Sequence, residues 1–262
     1  MSKKKGDIHP VSVRKIKSVL GNKAVRISLF ESVDSTNSEA RRQAELGLCV
    51  PALIISDHQS AGRGRLGRSF YSPLNTGLYM SLLLKAKENA ADNVQLTTAA
   101  AVAVARSIEE VCGIEVRIKW VNDLYLGSKK ICGILCESFL TSSGERYVII
   151  GVGVNLWTEN FPQELDAIAT SLMPNDVRRD ILAADIAKKL LDHYAYPDNT
   201  RMIEYYRTHS AVLGKKVRFE EGGKGYVGLA EGIDVVGRLN VRIDEQTIKI
   251  LSSGEISLKI DE

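Results

Sequence analysis

"GRGRLGR", at residues 62–68, alternates three glycines with three arginines around a single leucine. Glycine lets the backbone adopt positive φ and approach a ligand closely, and arginine adds a planar cation that matches carboxylate and phosphate oxygens. A solvated basic loop is the alternative, because runs of charge commonly lie on solvated faces. The stretch predicts a loop that binds an anion if the rest of the chain builds a site around it.

Strands and helices are predicted on both sides of this loop. "ALIISD" (52–57) leads into it and "TGLYMSLLLK" (76–85) follows it, and both are apolar runs typical of buried strands. Further strands are predicted in "VRISLF", "VRIKW", "DLYLG", "ICGILCESFL" and "RYVIIGVGVN", and helices are predicted from "DSTN" to Gly47, over 93–112 and over 178–211 with a break near Pro197.

The pattern changes after Leu213. Short strands follow one another there at the spacing of a small barrel and are separated by glycine turns. We predict a domain boundary near residue 212. The chain then divides into a basic leader (1–26), a larger domain (27–211) and a small C-terminal domain (212–262).

The composition is that of a globular protein, with 262 residues, 44% hydrophobic and 26% charged. The net charge of +3 is uneven, because residues 1–26 carry eight Lys or Arg and one Asp, which leaves −4 on the other 236 residues. A nucleic-acid-binding domain should carry a basic face, so we expect no specific DNA binding. The leader is interpreted as a solubilising tail or a short amphipathic helix around Val13, Ile16 and Leu20.

Several other classes are excluded by what the sequence lacks. No apolar run reaches membrane-spanning length and no secretory signal is present, so a cytoplasmic protein without a membrane partner is expected. Four cysteines form no CxxC pair and are interpreted as reduced core residues, and four histidines lack metal-ligand spacing. Neither a zinc site nor a disulfide framework is predicted.

Four further stretches stand out: "DSTN" (34–37), "KWVND" (119–123), "KICGILCE" (130–137) and "GVGVN" (151–155). Each has an ordinary structural explanation, such as a helix N-cap for "DSTN", a strand end and turn for "KWVND", and a bulge in an edge strand at Gly133. "GVGVN" is not a dinucleotide fingerprint, because it lacks the third glycine and a following helix. The order and spacing of the whole set therefore carry more information than any member.

Taken together, the set resembles the biotin protein ligases. "QSAGRGRLGRSFYSP" (59–73) is similar to the ligand-binding loop of that family, "KWVND" to its KWPND motif, and "KICGILCE" to its K-x-x-G-I-L-x-E strand. The chain departs from the family pattern at Leu66 (an arginine), Phe70 (a tryptophan) and Val121 (a proline). The resemblance implies an α/β (α+β) fold, with a mixed-sheet catalytic domain and a small C-terminal SH3-like barrel.

The resemblance also implies roles for individual residues. Lys130 and Arg65 are expected to be catalytic, because fixed cations stabilise charge near a carboxylate and an α-phosphate. Asp123 is a candidate ligand for magnesium. The biotin-binding residues implied are Ser35, Thr36, Asn37, Gln59, Arg63, Gly64, Arg65, Lys130 and Gly133, and the ATP- or adenylate-binding residues are Arg65, Arg68, Asn122, Asn155 and Trp157, the last as a wall against adenine.

The implied reaction uses ATP and biotin as substrates with Mg²⁺, and forms biotinyl-5′-AMP before biotin passes to a lysine of a biotin carboxyl carrier protein or domain. A monomer or homodimer is expected. Lipoate protein ligase is one alternative, against which the arginine-rich loop and "KICGIL" count. A biotin-sensing repressor is another, disfavoured because only 33 residues precede "DSTN", fewer than the roughly 50 of a typical folded domain. A non-catalytic biotin-binding module would leave Lys130 and the two asparagines unexplained.

Overall fold

A seven-stranded mixed sheet is the centre of the computed structural model, which describes residues 10–87, 93–252 and 256–258. Its strand order is β1-β2-β3-β7-β6-β5-β4; β1 and β2 are parallel, and the other neighbours are antiparallel. The strands are β1 (Arg26–Val33), β2 (Ala52–Gln59), β3 (Gly77–Lys85), β4 (Arg117–Lys119), β5 (Asp123–Leu126), β6 (Lys129–Leu140) and β7 (Arg146–Asn155).

Helices cover the two faces of this sheet unequally. The helices are α1 (Val13–Leu20), α2 (Thr36–Glu45), α3 (Asn93–Cys112), α4 (Gln163–Asp166), α5 (Arg179–Ala195) and α6 (Asn199–Thr208). Alternate strand residues point to opposite faces, so Leu53 and Ile55 join the large core beneath α3 and α5, whereas Ile54 packs on the α2 side. The short α2 covers only part of its face, which leaves room on the sheet beside its N-terminus.

The C-terminal region forms a second, five-stranded antiparallel sheet in the order β11-β10-β9-β8-β12. Its strands are β8 (Lys216–Glu221), β9 (Lys224–Ile233), β10 (Leu239–Arg242), β11 (Ile248–Leu251) and β12 (Ile256–Leu258). The predicted fold class, a mixed-sheet domain followed by a small β domain, is confirmed.

The turn between β9 and β10 joins the small sheet to the large domain. The buried indole N–H of Trp120 donates to the carbonyl of Gly237 at 2.9 Å. Gly237 has a φ of +93°, and a Cβ there would lie 2.6 Å from Thr98 Cγ2, so only glycine fits at this contact. The small domain is thereby in direct contact with the residue that leads into Val121 and Asn122.

The structure differs from two predictions, one about the N-terminal leader and one about the cysteines. Residues 13–20 of the predicted leader form α1, whose Ile16 and Leu20 are buried against α5. This part of the leader is therefore the short amphipathic helix and not a solubilising tail. Residues 1–9 lie outside the described residues. The cysteines are not all core residues, because Cys49 is exposed in the turn after α2. No helix in the described part of the chain is both long and apolar enough to span a membrane.

Candidate active site

The glycine–arginine stretch forms a tight hairpin above the open part of the α2 face. The N–H of Gly64 donates to the carbonyl of Arg68 at 2.7 Å, and the N–H of Phe70 donates to that of Gly62 at 2.8 Å. A Cβ on Gly62 would lie 2.4 Å from the Phe70 oxygen, so this glycine permits the close approach of the two backbones. Leu66 at the tip has a φ of 54° and is 73% exposed.

Two adjoining cavities lie beneath this hairpin. We call one the α2 cavity, because the start of α2 lines it, and the other the α4 cavity, because Leu165 of α4 lines it. The α2 cavity contains the predicted residues Ser35, Thr36, Asn37, Gln59, Arg63, Gly64 and Gly133. The α4 cavity contains Asn155, and the wall shared by both cavities contains Arg65, Arg68, Ser69, Phe70, Asn122, Asp123 and Lys130.

The "DSTN" segment enters α2 without using the hydroxyl of Ser35 as a cap. Ser35 occupies the N-cap position, yet its side chain makes no capping hydrogen bond. Instead Asp34 accepts the Ser35 N–H at 2.7 Å, and the guanidinium of Arg42 binds both Asp34 oxygens and lowers the pKa of Asp34 to about 2. The N-cap explanation for this motif therefore does not account for the serine, which faces the α2 cavity.

A network of hydrogen bonds organises the polar side chains of the α2 cavity. The N–H and hydroxyl of Thr36 both approach Gln59 Oε1, at 2.9 and 3.2 Å, and Gln59 Nε2 donates to Ser72 at 2.8 Å. Ser81 on β3 is fully buried, donates to Asn37 Oδ1 at 2.6 Å and lies 2.8 Å from Thr36 Oγ1. Because these groups satisfy one another, their orientations are set before any ligand binds.

Glycines on β6 and β7 make space for this network. A Cβ on Gly151 would lie 2.1 Å from Asn37 Oδ1, and one on Gly153 would lie 2.5 Å from the ring of Phe70. The glycines of "GVGVN" thus permit close packing on a strand, as expected if the motif is not a dinucleotide fingerprint. Gly133 does not lie in an edge strand, because β6 is between β5 and β7, and the irregular register falls at Leu124/Tyr125 instead.

The shared wall brings two cations together where the cavities meet. Lys130 Nζ lies 2.7 Å from Asp123 Oδ1, and Arg65 Nη1 donates to Asn122 Oδ1 at 2.8 Å. Asn122 in turn donates to the carbonyl of Ile134 at 2.9 Å. Lys129 points elsewhere, because its ammonium binds the carbonyl of Asp166. Lys130, and not its neighbour, therefore lines the two cavities.

The "KWVND" motif is a strand, a turn and the start of a second strand. β4 ends at Lys119 and pairs with β5, which begins at Asp123. The Trp120–Val121 peptide is cis, and the buried hydroxyl of Tyr206 donates to the carbonyl of Val121 at 3.1 Å. With valine in place of the family's proline, Asn122 and Asp123 still line both cavities.

The α4 cavity has polar and aromatic groups of its own. Asn155 donates to the carbonyl of Thr170 at 3.2 Å, while its Oδ1 atom is buried and has no hydrogen-bond partner among the described residues. Tyr71 and Phe161 line this cavity with their ring centroids 6.2 Å apart.

The structure does not bring Trp157 to either cavity. Its side chain is 5% exposed, belongs to the main core, and donates its indole N–H to the carbonyl of Pro174. The structure therefore contradicts the prediction that Trp157 forms a wall against adenine. An aromatic residue just after a strand looks the same in the sequence whether it faces the core or a ligand.

The sequence motifs assign no role to two residues of the candidate site, Ser81 and Glu137. Ser81 lies within an apolar strand, and Glu137 ends the "KICGILCE" motif without an assigned role. Glu137 binds the guanidinium of Arg63 through two hydrogen bonds of 2.8 and 3.2 Å. Arg63 is thereby directed toward β6, and Arg65 is the arginine of this hairpin that meets Asn122.

The donor set for a metal ion is small. No group of three His, Cys, Asp or Glu side chains suitable for a metal occurs among the described residues. Asp123 is the carboxylate that lines the two cavities, and it is paired with Lys130. One carboxylate together with substrate phosphates is a common set of ligands for Mg²⁺, so the residues fit an ion that is carried by a nucleotide.

Comparison with known families matches both parts of the chain. Residues 29–155 match the model of the biotin/lipoate A/B protein ligase family, and residues 212–259 match that of the biotin protein ligase C terminal domain. The second match begins at the boundary predicted near residue 212. It also counts against the lipoate alternative, because its description names biotin protein ligase alone.

Individual relatives agree with these models. The chain is 34% identical to the bifunctional ligase/repressor BirA of Bacillus subtilis over 229 residues, covering 84% of this chain and 70% of that protein. It is 32% identical to the biotin–acetyl-CoA-carboxylase ligase of Paracoccus denitrificans, covering 82% and 93%. The structure of biotin protein ligase from Aquifex aeolicus in complex with biotin and ATP is similar at 28% identity, with a TM-score of 0.75 and coverage of 89% and 98%. The chain belongs to the biotin/lipoate A/B protein ligase family, and within it to the biotin protein ligases.

Proposed function

We propose that this ATP-dependent biotin protein ligase carries out two successive reactions at the shared wall of the two cavities. The observation that carries the proposal is the position of Lys130 and Arg65 between two cavities. One has an ordered polar network, and the other has an Asn155 oxygen without a partner in the described part of the chain. In this assignment biotin occupies the α2 cavity and the nucleotide occupies the α4 cavity. The carboxylate of one ligand and the α-phosphate of the other then meet beside the two cations.

In the first reaction a carboxylate oxygen of biotin attacks the α-phosphorus of ATP. The new bond is carboxyl oxygen to phosphorus, the broken bond joins the α-phosphorus to pyrophosphate, and the products are biotinyl-5′-AMP and pyrophosphate. Negative charge accumulates on the phosphate oxygens, so the chemistry depends on positioning and on fixed positive groups. Lys130 and Arg65 supply two such groups, and their partners Asp123 and Asn122 hold them in place before the substrates bind.

In the second reaction the neutral amine of a carrier lysine attacks the acyl carbon of the adenylate. A carbon–nitrogen bond forms, the carbon–oxygen bond to AMP breaks, and the proton lost by the amine passes to water. Lys130 remains beside the leaving phosphate and stabilises its charge. Because the mixed anhydride reacts with water, the hairpin of residues 62–70 also serves to cover it.

The roles on the biotin side follow from the network. Ser35, Thr36 and Gln59 offer their polar atoms to the ligand. Gly64 and Gly133 allow close approach at the hairpin and at β6. Asn37 lines the cavity, but both hydrogens of its amide are donated within the protein, to Leu135 and Glu137, so it supports the other residues more than it contacts biotin.

On the nucleotide side, Asn122 and Asn155 supply amide groups and Arg68 supplies a further cation at the mouth of both cavities. Asp123 would hold magnesium together with the phosphates of ATP, and the ion would offset phosphate charge when bound. Phe70 keeps an aromatic wall at the position where the family commonly has tryptophan.

The protein partner is proposed to be a biotin carboxyl carrier protein or domain. The oligomeric state, monomer or homodimer, stays a prediction, as does the absence of sequence-specific DNA binding, which follows from the charge of −4 on residues 27–262. A mobility-shift measurement at physiological salt tests the latter, and a sequence-specific shift by this chain would contradict it.

The function itself is tested with purified protein, ATP, Mg²⁺, biotin and a carrier domain, read by the mass of the intact carrier. We expect a gain of one biotinyl group per carrier that depends on ATP. A carrier whose acceptor lysine is replaced by arginine is the control and should gain nothing. Transfer of lipoate in preference to biotin, or no transfer at all, would contradict the assignment.

A further inference from the structure

Glu137 joins two parts of the site that are far apart in the chain. It lies on β6, its side chain is 17% exposed, and its two oxygens bind the guanidinium of Arg63 at 2.8 and 3.2 Å. The Oε2 atom also accepts a hydrogen bond from Asn37 Nδ2 at 2.8 Å. One carboxylate thus contacts both the glycine–arginine hairpin and the first turn of α2.

The contact with Asn37 fixes the orientation of that amide. Asn37 Nδ2 donates to Glu137 and to the carbonyl of Leu135 at 3.2 Å, while its Oδ1 accepts the hydroxyl of buried Ser81. A flipped amide would turn its oxygen toward a carboxylate and a carbonyl, which offer no hydrogen, and would leave these acceptors without a donor. Ser81 also lies 2.8 Å from Thr36 Oγ1, and the backbone N–H of Thr36 donates to Gln59 Oε1, so the same network extends to Gln59.

The contact with Arg63 fixes the base of the hairpin. A guanidinium that meets both oxygens of one carboxylate is held in a defined plane, and such charge-assisted pairs are stronger than neutral hydrogen bonds. Arg63 is bridged to Ser69 across the hairpin, so an Arg63 held by β6 also restrains the returning strand of the hairpin. The first two arginines of the motif thus have different partners: Arg63 binds Glu137 on the sheet, and Arg65 donates to Asn122 at the shared wall.

We infer that Glu137 is a positioning residue that ties the hairpin to the start of α2 and thereby sets the affinity of the α2 cavity for biotin. The inference rests on the proposed function, since it takes biotin as the ligand of that cavity. Glu137 touches neither substrate in this scheme. Its effect on binding passes through Asn37 and Arg63.

The test uses Glu137→Gln, which keeps the shape of the side chain and removes its charge and one acceptor. We expect the Kd for biotin, measured by calorimetry, to rise roughly 10- to 100-fold, the range for loss of a hydrogen bond to a charged group. The KM for ATP should stay within about twofold of wild type, since the energy of this pair is local to the α2 cavity. Glu145→Gln is the matched control, because it breaks an exposed pair with Lys85 outside both cavities and should leave the Kd for biotin unchanged.

A double-mutant cycle separates positioning from general destabilisation. If Glu137 acts partly through Arg63, Arg63→Gln alone should weaken biotin binding, and the double variant should be weaker than the worse single variant by no more than about threefold. Independent, multiplicative losses would overturn the coupling. An equal rise in the KM for ATP, or a thermal midpoint low enough to unfold Glu137→Gln at the assay temperature, would assign Glu137 a purely structural role and overturn the inference.

The outcome for wild type separates this inference from the proposed function. A wild-type protein that biotinylates the carrier, combined with an unchanged Kd for biotin in Glu137→Gln, would overturn the inference alone. A wild-type protein that binds no biotin would overturn both.

Discussion

The α2 cavity and the α4 cavity differ in how completely their polar groups are satisfied within the protein. In the α2 cavity Thr36, Asn37, Gln59 and buried Ser81 bind one another. In the α4 cavity the Oδ1 atom of Asn155 is buried and has no partner among the described residues. A ligand of the first cavity meets side chains that are already oriented, so less ordering accompanies its binding. We expect a ligand of the second cavity to supply the partner for Asn155.

The comparison predicts that substitutions in the shared wall affect both reactions, whereas those in one cavity affect one substrate. Replacing Lys130 with alanine should have the largest effect, because its ammonium borders both cavities. We expect adenylate formation and carrier transfer each to fall by at least about 10²- to 10³-fold, as for loss of a single electrostatic contact in an active site. Both rates are measured separately, by pyrophosphate release and by transfer from preformed adenylate.

Lys129→Ala is the control for this experiment, because its ammonium binds Asp166 instead of facing the cavities. A fall in only one of the two rates for Lys130→Ala would break the picture of a shared wall. Turnover near that of wild type would remove Lys130 from the mechanism.

Arg65 is the second cation of the shared wall and tests how the adenylate is retained there. Arg65→Gly deletes a charge-assisted contact of about 1.5–3 kcal/mol, so we expect the adenylate to dissociate roughly 10- to 150-fold faster. The released anhydride is chemically unchanged and should acylate lysines of an unrelated bystander protein. The measurement is a blot for biotin on that bystander, with wild-type enzyme as the reference.

Arg65→Gln is the second variant, because it retains a side chain and so separates loss of charge from added backbone freedom. If either variant makes adenylate yet labels the bystander no more than wild type does, Arg65 is not a retention contact.

Gly151 tests the preorganised side alone. An added Cβ would lie 2.1 Å from Asn37 Oδ1, so Gly151→Ala must displace the network. Overpacking of this kind costs about 1–3 kcal/mol of folding stability. Because the displaced network lines the α2 cavity, we also expect the Kd for biotin, measured by calorimetry, to rise at least about fivefold, as for loss of a hydrogen bond of about 1 kcal/mol, with an unchanged KM for ATP. Gly225→Ala is the control, since a Cβ there meets nothing within 4 Å. Unchanged biotin affinity in folded Gly151→Ala would show that the network need not be ordered in advance.

The smallest expected effect concerns the entry to α2. Arg42 lowers the pKa of Asp34 from 3.8 to about 2, so the folded protein binds the proton less readily than the unfolded chain. The stabilisation is therefore present above about pH 4 and is lost as the pH falls toward 2. Both side chains are about half exposed, which limits the pair to less than about 1 kcal/mol. Urea unfolding of wild type and Asp34→Asn should differ at pH 6, and the difference should shrink below about pH 4 and vanish only near pH 2. A constant difference would contradict this.

Much of the fold was predictable because its strands are apolar runs and its helices have clear ends. β2 and β3 fall within about two residues of their predicted spans, and α3 covers the predicted residues 93–112. Burial of α1 was harder to foresee, because a helix of eight residues next to a lysine-rich segment resembles a solvated tail until α5 packs against Ile16. The exposure of Cys49 likewise depends on where α2 ends.

The site was predictable only where a motif carried it. Arg63 and Arg65 came from the glycine–arginine stretch and Lys130 from its spacing to "GIL". The role of Ser81 depends on the register of β3 against β2 and on the approach of α2, and no local pattern encodes either. Trp157 shows the converse case: its indole could stack on the adenine base, but the structure turns it into the core.

The glycine in the turn between β9 and β10 also limits how this enzyme can be recombined with its relatives. The acceptor for the Trp120 indole is a main-chain carbonyl, which any residue would supply, but the Cβ of any other residue would collide with Thr98. A chimera that takes its small C-terminal domain from another family member must therefore keep glycine at this one position or shorten Thr98. Without that match the grafted domain would be forced away from the strand end that presents Asn122 and Asp123.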